Sequence, residues 1–170
     1  MAINKLGKRT DLRMAILRGQ LTDFLWNGSI ETTLDRAQSV ARLAEKVLTL
    51  AVKTYKDTVE VEKPYVNEKG EKTTRKVLND GVTKLNARRK IMGMVNDVQE
   101  QRIKGEKKEA FKMRTEDVKH PLLEKIFNVY APKYSVRAEE KGSKGGYTRI
   151  IKLGMRRGDA AMMVKLELVD

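Results

Sequence analysis

Cysteine is absent from this sequence, and histidine and tryptophan occur once each in 170 residues. Each shortage excludes something. Without cysteine there is no disulfide framework and no thiolate metal site, which fits a reducing compartment. The one histidine, His120, stands before a proline at an expected helix start, and no cluster with metal-ligand spacing surrounds it. Trp26 closes an apolar helix and reads as core rather than as a platform for a stacked base. No apolar run approaches the length that spans a bilayer. Met1 to Arg9 is basic but leads into no apolar segment, so no secretory signal is expected. The expectation is a soluble, intracellular protein without cofactor, metal, membrane or small-molecule substrate.

Catalytic motifs are equally scarce. The loop from Gly142 to Thr148 is rich in glycine yet lacks the Gly-Lys-Ser/Thr ending of a nucleotide phosphate loop. Glu139 and Glu140 are adjacent in a charged stretch and read as solvated. Arg157-Gly158-Asp159 matches an adhesion tripeptide by coincidence in an intracellular chain. The chain is therefore expected not to be an enzyme.

What the sequence does hold is positive charge: 36 Lys and Arg against 23 Asp and Glu, a net +13. Such an excess makes a polyanion the default partner, through counterion release from phosphates. Positive charge is proportionally strongest at the two ends. Residues 1–56 carry 10 basic and 5 acidic side chains, and residues 142–170 carry 6 and 3.

The C-terminal stretch organises the rest. Tyr147 to Leu153 reads as a strand leading to a glycine-flanked turn with Arg156 and Arg157. Ala161 to Val169 then alternates, with Met162, Val164, Leu166 and Leu168 on one face and Lys165 and Glu167 on the other. Arginine at such a tip suits phosphate, because its planar fork makes two parallel charge-assisted hydrogen bonds. Residues 1–9 form a basic arm carrying Lys5, Lys8 and Arg9. A helix capped by Thr10 is expected to run to about Trp26, its apolar side comprising Leu12, Ile16, Leu17, Leu21, Phe24 and Leu25. Arg13 and Arg18 stay on its wet surface. After a β-leaning Ser29 to Thr32, Thr32-Thr33-Leu34-Asp35 resembles a capping box. Helical spacing then continues from Leu34 to Ala51. Arg36 lies off that stripe, where either phosphate or a solvated face accounts for it.

From Asp57 the pattern has period two. Val59 to Val66, a turn at Glu68-Lys69-Gly70-Glu71 and a return from Thr73 to Leu78 predict a β-hairpin with Pro64 on an edge. Its charge is nearly balanced, which favours a structural or docking role over that of a main contact with the polyanion. Asn79-Asp80-Gly81 reads as a turn. A helix from Thr83 or Asn86 follows, burying Ile91, Met92, Val95 and Val98, with Arg88, Arg89 and Lys90 in its first turn. There the helix dipole disfavours cations, unless phosphates sit beside them. Residues 102–119 read as a charged surface excursion. Pro121 suits the first position of a helix with Leu122, Leu123, Ile126, Phe127 and Tyr130 inward, and Pro132 is expected to end it.

Lys5-Leu6-Gly7, Leu17-Arg18, Ile30-Glu31-Thr32-Thr33 before a long helix, Gly146-Tyr147-Thr148-Arg149-Ile150, Lys152-Leu153-Gly154 and Arg156-Arg157-Gly158-Asp159 recur here in one order. Together they resemble the bacterial large-subunit ribosomal protein L seventeen family. The resemblance covers about the first 55 residues, a basic stretch near Asn86 to Lys90, and the chain from Pro121 on. It implies an α+β, two-layer fold with about four helices packed on a small mixed β-sheet. It also implies a structural role in the cytoplasmic ribosome, binding large-subunit ribosomal RNA near the peptide tunnel exit, beside neighbouring large-subunit ribosomal proteins. One domain over residues 1–170 is expected, with residues 57–80 as an inserted β-hairpin extension. The residues expected at RNA are Lys5, Lys8, Arg9, Arg13, Arg18, Arg36, Arg88, Arg89, Tyr147, Arg149, Lys152, Arg156 and Arg157. Met155 stands where the family commonly has proline, which leaves the tip less pre-organised. Met14 stands where a second basic residue is usual. Charge alone also admits a general DNA-binding protein, and an RNA-modifying enzyme would need a cofactor pocket that the sequence does not display.

Overall fold

The computed structural model describes residues 4–66, 72–116 and 118–169. Met1 to Ile3 of the arm and the turn expected at Glu68 to Glu71 lie outside the described residues. In chain order the elements are α1 (Thr10–Asn27), β1 (Ser29–Thr33), α2 (Leu34–Thr54), β2 (Thr58–Val66), β3 (Lys72–Asp80), α3 (Val82–Met92), α4 (Lys108–Thr115), α5 (Pro121–Lys125), α6 (Ala131–Lys141), β4 (Thr148–Met155) and β5 (Met162–Leu168). A π-helical turn, Ile126–Tyr130, joins α5 to α6 without a break, so the helical segments among the described residues form five rods. The expected fold is thus met in its α+β character.

Among the described residues the expected mixed sheet is not found. One sheet has the order β1-β5-β4, and β2 and β3 form a second, two-stranded sheet. Every pairing is antiparallel. β1 and β4 run the same way, but β5 separates them, so no parallel pair forms. Val164 and Leu166 of β5 are fully buried, as the alternation of the sequence predicts.

α2 is the axis of the core. Ala37, Val40, Ala44, Val47, Leu48 and Ala51 are all fully buried, and the helix touches α1, α3, α6, β4 and β5. Alanine recurs every seventh residue at 37, 44 and 51, so neighbouring backbones come close along one line. Against it pack Leu17, Leu21, Phe24 and Leu25 of α1, with Leu122, Ile126 and Phe127 from α5 and its π turn. Leu12, expected on that apolar side, is instead 51% exposed, because α1 begins beyond the edge of the core.

Several boundaries differ from the sequence reading for definable reasons. Thr10 is the first helical residue rather than the cap; Arg9 occupies that place, and its carbonyl accepts from Arg13 N at 2.9 Å. α2 begins one residue late for the proposed box, with Thr33 at the cap and no side-chain cap bond. α3 starts at Val82, because the Asp57 carboxylate caps it from the far side of the hairpin. Asp57 accepts from Thr83 N at 3.0 Å and from the Thr83 hydroxyl, and these bonds hold its pKa below the ordinary carboxylate value. Asn79 and Asp80 therefore belong to β3 rather than to a turn. Met92 is exposed at the end of α3, while Ile91 is buried. Pro132 does not end its helix. Ala131 N bonds to Ile126 O, five residues back, and this widened turn just ahead of the proline carries the helix through to Lys141.

Candidate nucleic-acid interface

Strand register places the basic residues in space. Thr33 of β1 faces Met163 of β5, and Met155 of β4 faces Met162. One end of the three-stranded sheet thus carries the β4–β5 tip, the end of β1 and the first turn of α2. The arm joins them there. Asn4 Nδ2 donates to Asp35 O at 3.2 Å, and Leu6 packs on the core. Lys8 N closes a turn onto Lys5 O at 3.2 Å, with Leu6 and Gly7 both at positive φ (55° and 60°). Two such residues in succession give the tight turn that leaves Lys5 and Lys8 outward. α1 starts directly after the arm, so its amino end lies at the same end of the sheet. Neither α1 nor α2 has a side-chain cap bond. Both helices therefore point the positive end of their dipoles here, each with an aspartate, Asp11 or Asp35, in its first turn.

The tip itself is ordered. Arg156 grips Asp159 with Nε–Oδ1 at 2.5 Å and Nη2–Oδ2 at 2.6 Å. Asp159 Oδ1 also accepts from Ala161 N at 3.2 Å. Arg156 N donates to Ala161 O at 3.1 Å, and Ala160 turns the chain with φ of 53°. The Arg156 guanidinium holds the Asp159 carboxyl down to about 2. The order that Met155 would forgo by replacing proline is supplied by this closed fork. Arg157 is left exposed, with no ion-pair partner among the described residues. Gly154, at φ of 128°, sits at the bulge between Lys152 and Gly154 and bends β4 into the tip.

The thirteen expected residues divide accordingly. Lys5, Lys8, Arg9, Arg36, Arg156 and Arg157 lie at this end, and Arg13 follows one turn into α1. Lys152, exposed on β4, faces Val164 two residues short of the tip. Arg149 is exposed at the other end of the sheet, opposite Glu167. Arg18 donates to Gly93 O at 2.8 Å and ties α1 to the loop after α3.

Arg88 and Arg89 are not in a first turn. With α3 starting at Val82, Arg89 and Lys90 fall in its last turn, where the dipole favours cations, so no phosphate is needed to explain them. Arg88 is already engaged, with Nε 2.6 Å from Asp80 Oδ2 and Nη1 2.7 Å from Glu124 Oε1.

Tyr147 also differs from expectation, since it is 5% exposed and does not reach the surface. Its ring lies 4.7 Å from Tyr134 centroid to centroid. The Arg137 guanidinium sits 5.0 Å from the Tyr134 ring and 5.5 Å from the Tyr147 ring. Arg137, which the sequence reading passed over, donates to Gly145 O at 2.5 Å and Gly146 O at 3.2 Å. It fastens the glycine-rich link to α6 and so fixes where the C-terminal hairpin starts. An arginine one helical turn beyond Tyr134 was the available signal; the carbonyls it holds belong to a loop that only the fold brings near.

Comparison with known proteins follows the same span. A family model described as ribosomal protein L17 matches residues 16–169. The large ribosomal subunit protein bL17 of Lachnospira eligens is 38% identical, over 97% of each chain. That of Clostridium acetobutylicum is 36% identical over 97% of this chain and 95% of its own. The Ligilactobacillus salivarius protein of the same name is 34% identical over the full length of both.

Proposed function

This chain belongs to the ribosomal protein L17 family, and from that premise we propose that it is a structural constituent of the large ribosomal subunit. It binds large-subunit ribosomal RNA through the basic end of its three-stranded sheet, in the cytoplasm, near the peptide tunnel exit and beside other large-subunit proteins. The tunnel-exit position rests on the family resemblance. The RNA face rests on one observation: the arm, two uncapped helix starts and the Arg156–Asp159 tip converge on one end of the sheet. The role is assembly rather than catalysis. Lys5, Lys8 and Arg157 neutralise phosphates where RNA segments approach one another, Arg9 stands beside them in an exposed pair with Asp11 at 2.8 Å, and the positive ends of the two helix dipoles add to the attraction. Recognition on this plan reads RNA shape and phosphate position, with few base contacts. Arg36, Arg13 and Lys152 extend the same surface, and Arg149 meets RNA separately, at the other end of the sheet. Arg88 and Tyr147 are left out of it, because their side chains are committed internally.

Sedimentation of a native lysate on a sucrose gradient, with a moderate-salt wash, tests this reading. The expected result is about one copy of the protein per large subunit. Protein that stays at the top of the gradient, or that follows DNA and leaves on DNA digestion, overturns it.

A further inference from the structure

Between α2 and α6, near the carboxyl end of α2, the facing side chains are short: Thr49 and Val52 on one helix, Ser135 and Ala138 on the other. They leave a cleft of about 680 Å³, a size typical of small-ligand sites. Tyr147, 5% exposed, closes its floor. The surroundings hold the cleft open. Arg137 of α6 fixes the glycine-rich link through Gly145 O and Gly146 O. Glu45 of α2 accepts from Thr148 N and Thr148 Oγ1, both at 3.0 Å, and ties β4 to the same helix. Lys56, just past α2, meets Glu139 of α6 at 3.6 Å.

Charge at the cleft has one sign left over. Lys53 and Lys144 line it and are exposed, with no ion-pair partner among the described residues. Glu139 also lines it, but Lys56 answers that carboxylate. Glu140 and Lys141, which follow on α6, offset each other. The outer side of α2 leads to the same place, because Arg42, Lys46 and Lys53 are exposed and fall at helical spacing on one side of it. This row begins in the half of α2 nearer the basic end of the sheet. At a rise of about 1.5 Å per residue, the cleft lies roughly 25 Å from that end.

We propose that this cleft takes one unstacked nucleotide of the large-subunit RNA, as a contact separate from the basic end of the sheet. The base enters between Val52 and Ala138, where apolar walls replace the stacking it has given up. The Thr49 and Ser135 hydroxyls, each both donor and acceptor, meet its polar edge. Lys53 and Lys144 hold the phosphates beside it. A base splayed out of its strand is the form in which proteins read single-stranded RNA, and a nucleotide joins the two features this cleft receives, a flat apolar face and an anionic linkage. The proposal rests on the large-subunit reading above.

The test compares large subunits isolated from cells carrying wild type, Ala138→Trp, or the double variant Lys53→Gln, Lys144→Gln. The RNA of each is probed with dimethyl sulfate and by acylation of its ribose hydroxyls. One nucleotide protected by wild type is expected to lose that protection in both variants, since the indole fills the cleft in one and the phosphate grip is gone in the other. It is expected to differ from the nucleotides exposed by Lys5→Gln, Lys8→Gln, Arg157→Gln, given the distance between the two sites. The lysine variant should also leave the subunit with a salt slope shallower by roughly 1.4 units, for two single-strand phosphate contacts. Unchanged reactivity in both variants, the result if a protein side chain or solvent occupies the cleft, overturns the proposal and leaves the large-subunit reading intact. Exposure only of nucleotides that the basic-end variant also exposes does the same. If Ala138→Trp misfolds and is missing from subunits, the lysine variant decides alone. Absence of wild type from large subunits overturns both readings.

Discussion

Two β-hairpins of similar length stand among the described residues, and their circumstances are opposite. β4–β5 is built into a sheet with β1, lies on α2 and buries Val164 and Leu166 completely. Among the described residues β2–β3 has no third strand, and Val59, Val61, Val77 and Leu78 remain in solvent or only half covered. The first hairpin takes its rigidity from the core and spends its tip on positive charge. The second takes its rigidity from the Asp57, Asp80, Lys84 and Arg88 clasp, and its strands beyond that root carry Lys63, Lys72, Arg75 and Lys76 against Glu60 and Glu62. Identical secondary structure thus serves two surfaces of different chemistry, and what separates them is how each is anchored.

Stability measurements break that comparison most sharply. Leu166→Ala removes a fully buried side chain and is expected to lower unfolding free energy by about 2–5 kcal/mol. Val61→Ala, on the exposed shaft, is expected to change it by no more than ~0.5 kcal/mol. Urea titrations of the two variants decide the point, and similar losses would mean that the shaft is packed like the core. A smaller effect is expected at the clasp. Gly81→Ala forces the Asp57 carboxylate aside and removes the cap of α3, costing about 0.5–2 kcal/mol. Amide exchange at Thr83 and Lys84 should quicken while that of Ile150 and Leu166 keeps pace only with the global change. Unaltered exchange at Thr83 would show that the clasp does not set the hairpin root.

The smallest effect concerns pH. Asp159 is held at about 2 by Arg156, below its ordinary carboxylate value. A depressed carboxylate contributes order above its unfolded value and loses it as pH falls through the folded one. The tip should therefore keep its geometry across neutral and mildly acidic pH and loosen only as pH approaches about 2. The Ala161 amide, which donates to Asp159, reports this in an NMR titration, and a midpoint near 4 would show that the Arg156 fork is open in solution.

Local signals carried much of this fold in the sequence. The alternation of β5, the small-residue stripe of α2 and Pro121 at the start of α5 each depend on residues a few positions apart. Features made by distant partners were not legible. Asp57 caps α3 from 26 residues away, which moved the start of that helix and turned Arg89 and Lys90 from a first turn into a last one. The π turn before Pro132, with Ile126 and Phe127 buried in it, lets the helix run on through a residue that locally signals a stop. Tyr147 faces inward because Tyr134 and Arg137 come from another element. The candidate interface follows the same rule. Its cations were visible one by one, but their convergence depends on β1 pairing with β5 across more than a hundred residues of chain.

Salt-dependent release from isolated large subunits tests the central claim most directly. Wild type is compared with Lys5→Gln, Lys8→Gln, Arg157→Gln in one variant and with Lys63→Gln, Lys76→Gln on the hairpin shaft in another. Each lost phosphate contact removes roughly 0.7–0.9 from the slope of log K against log salt. The account predicts a slope shallower by roughly 2–3 units for the first variant and an unchanged slope for the second. Equal slopes for the first variant and wild type would contradict it, because the basic end of the sheet would then face solvent rather than RNA.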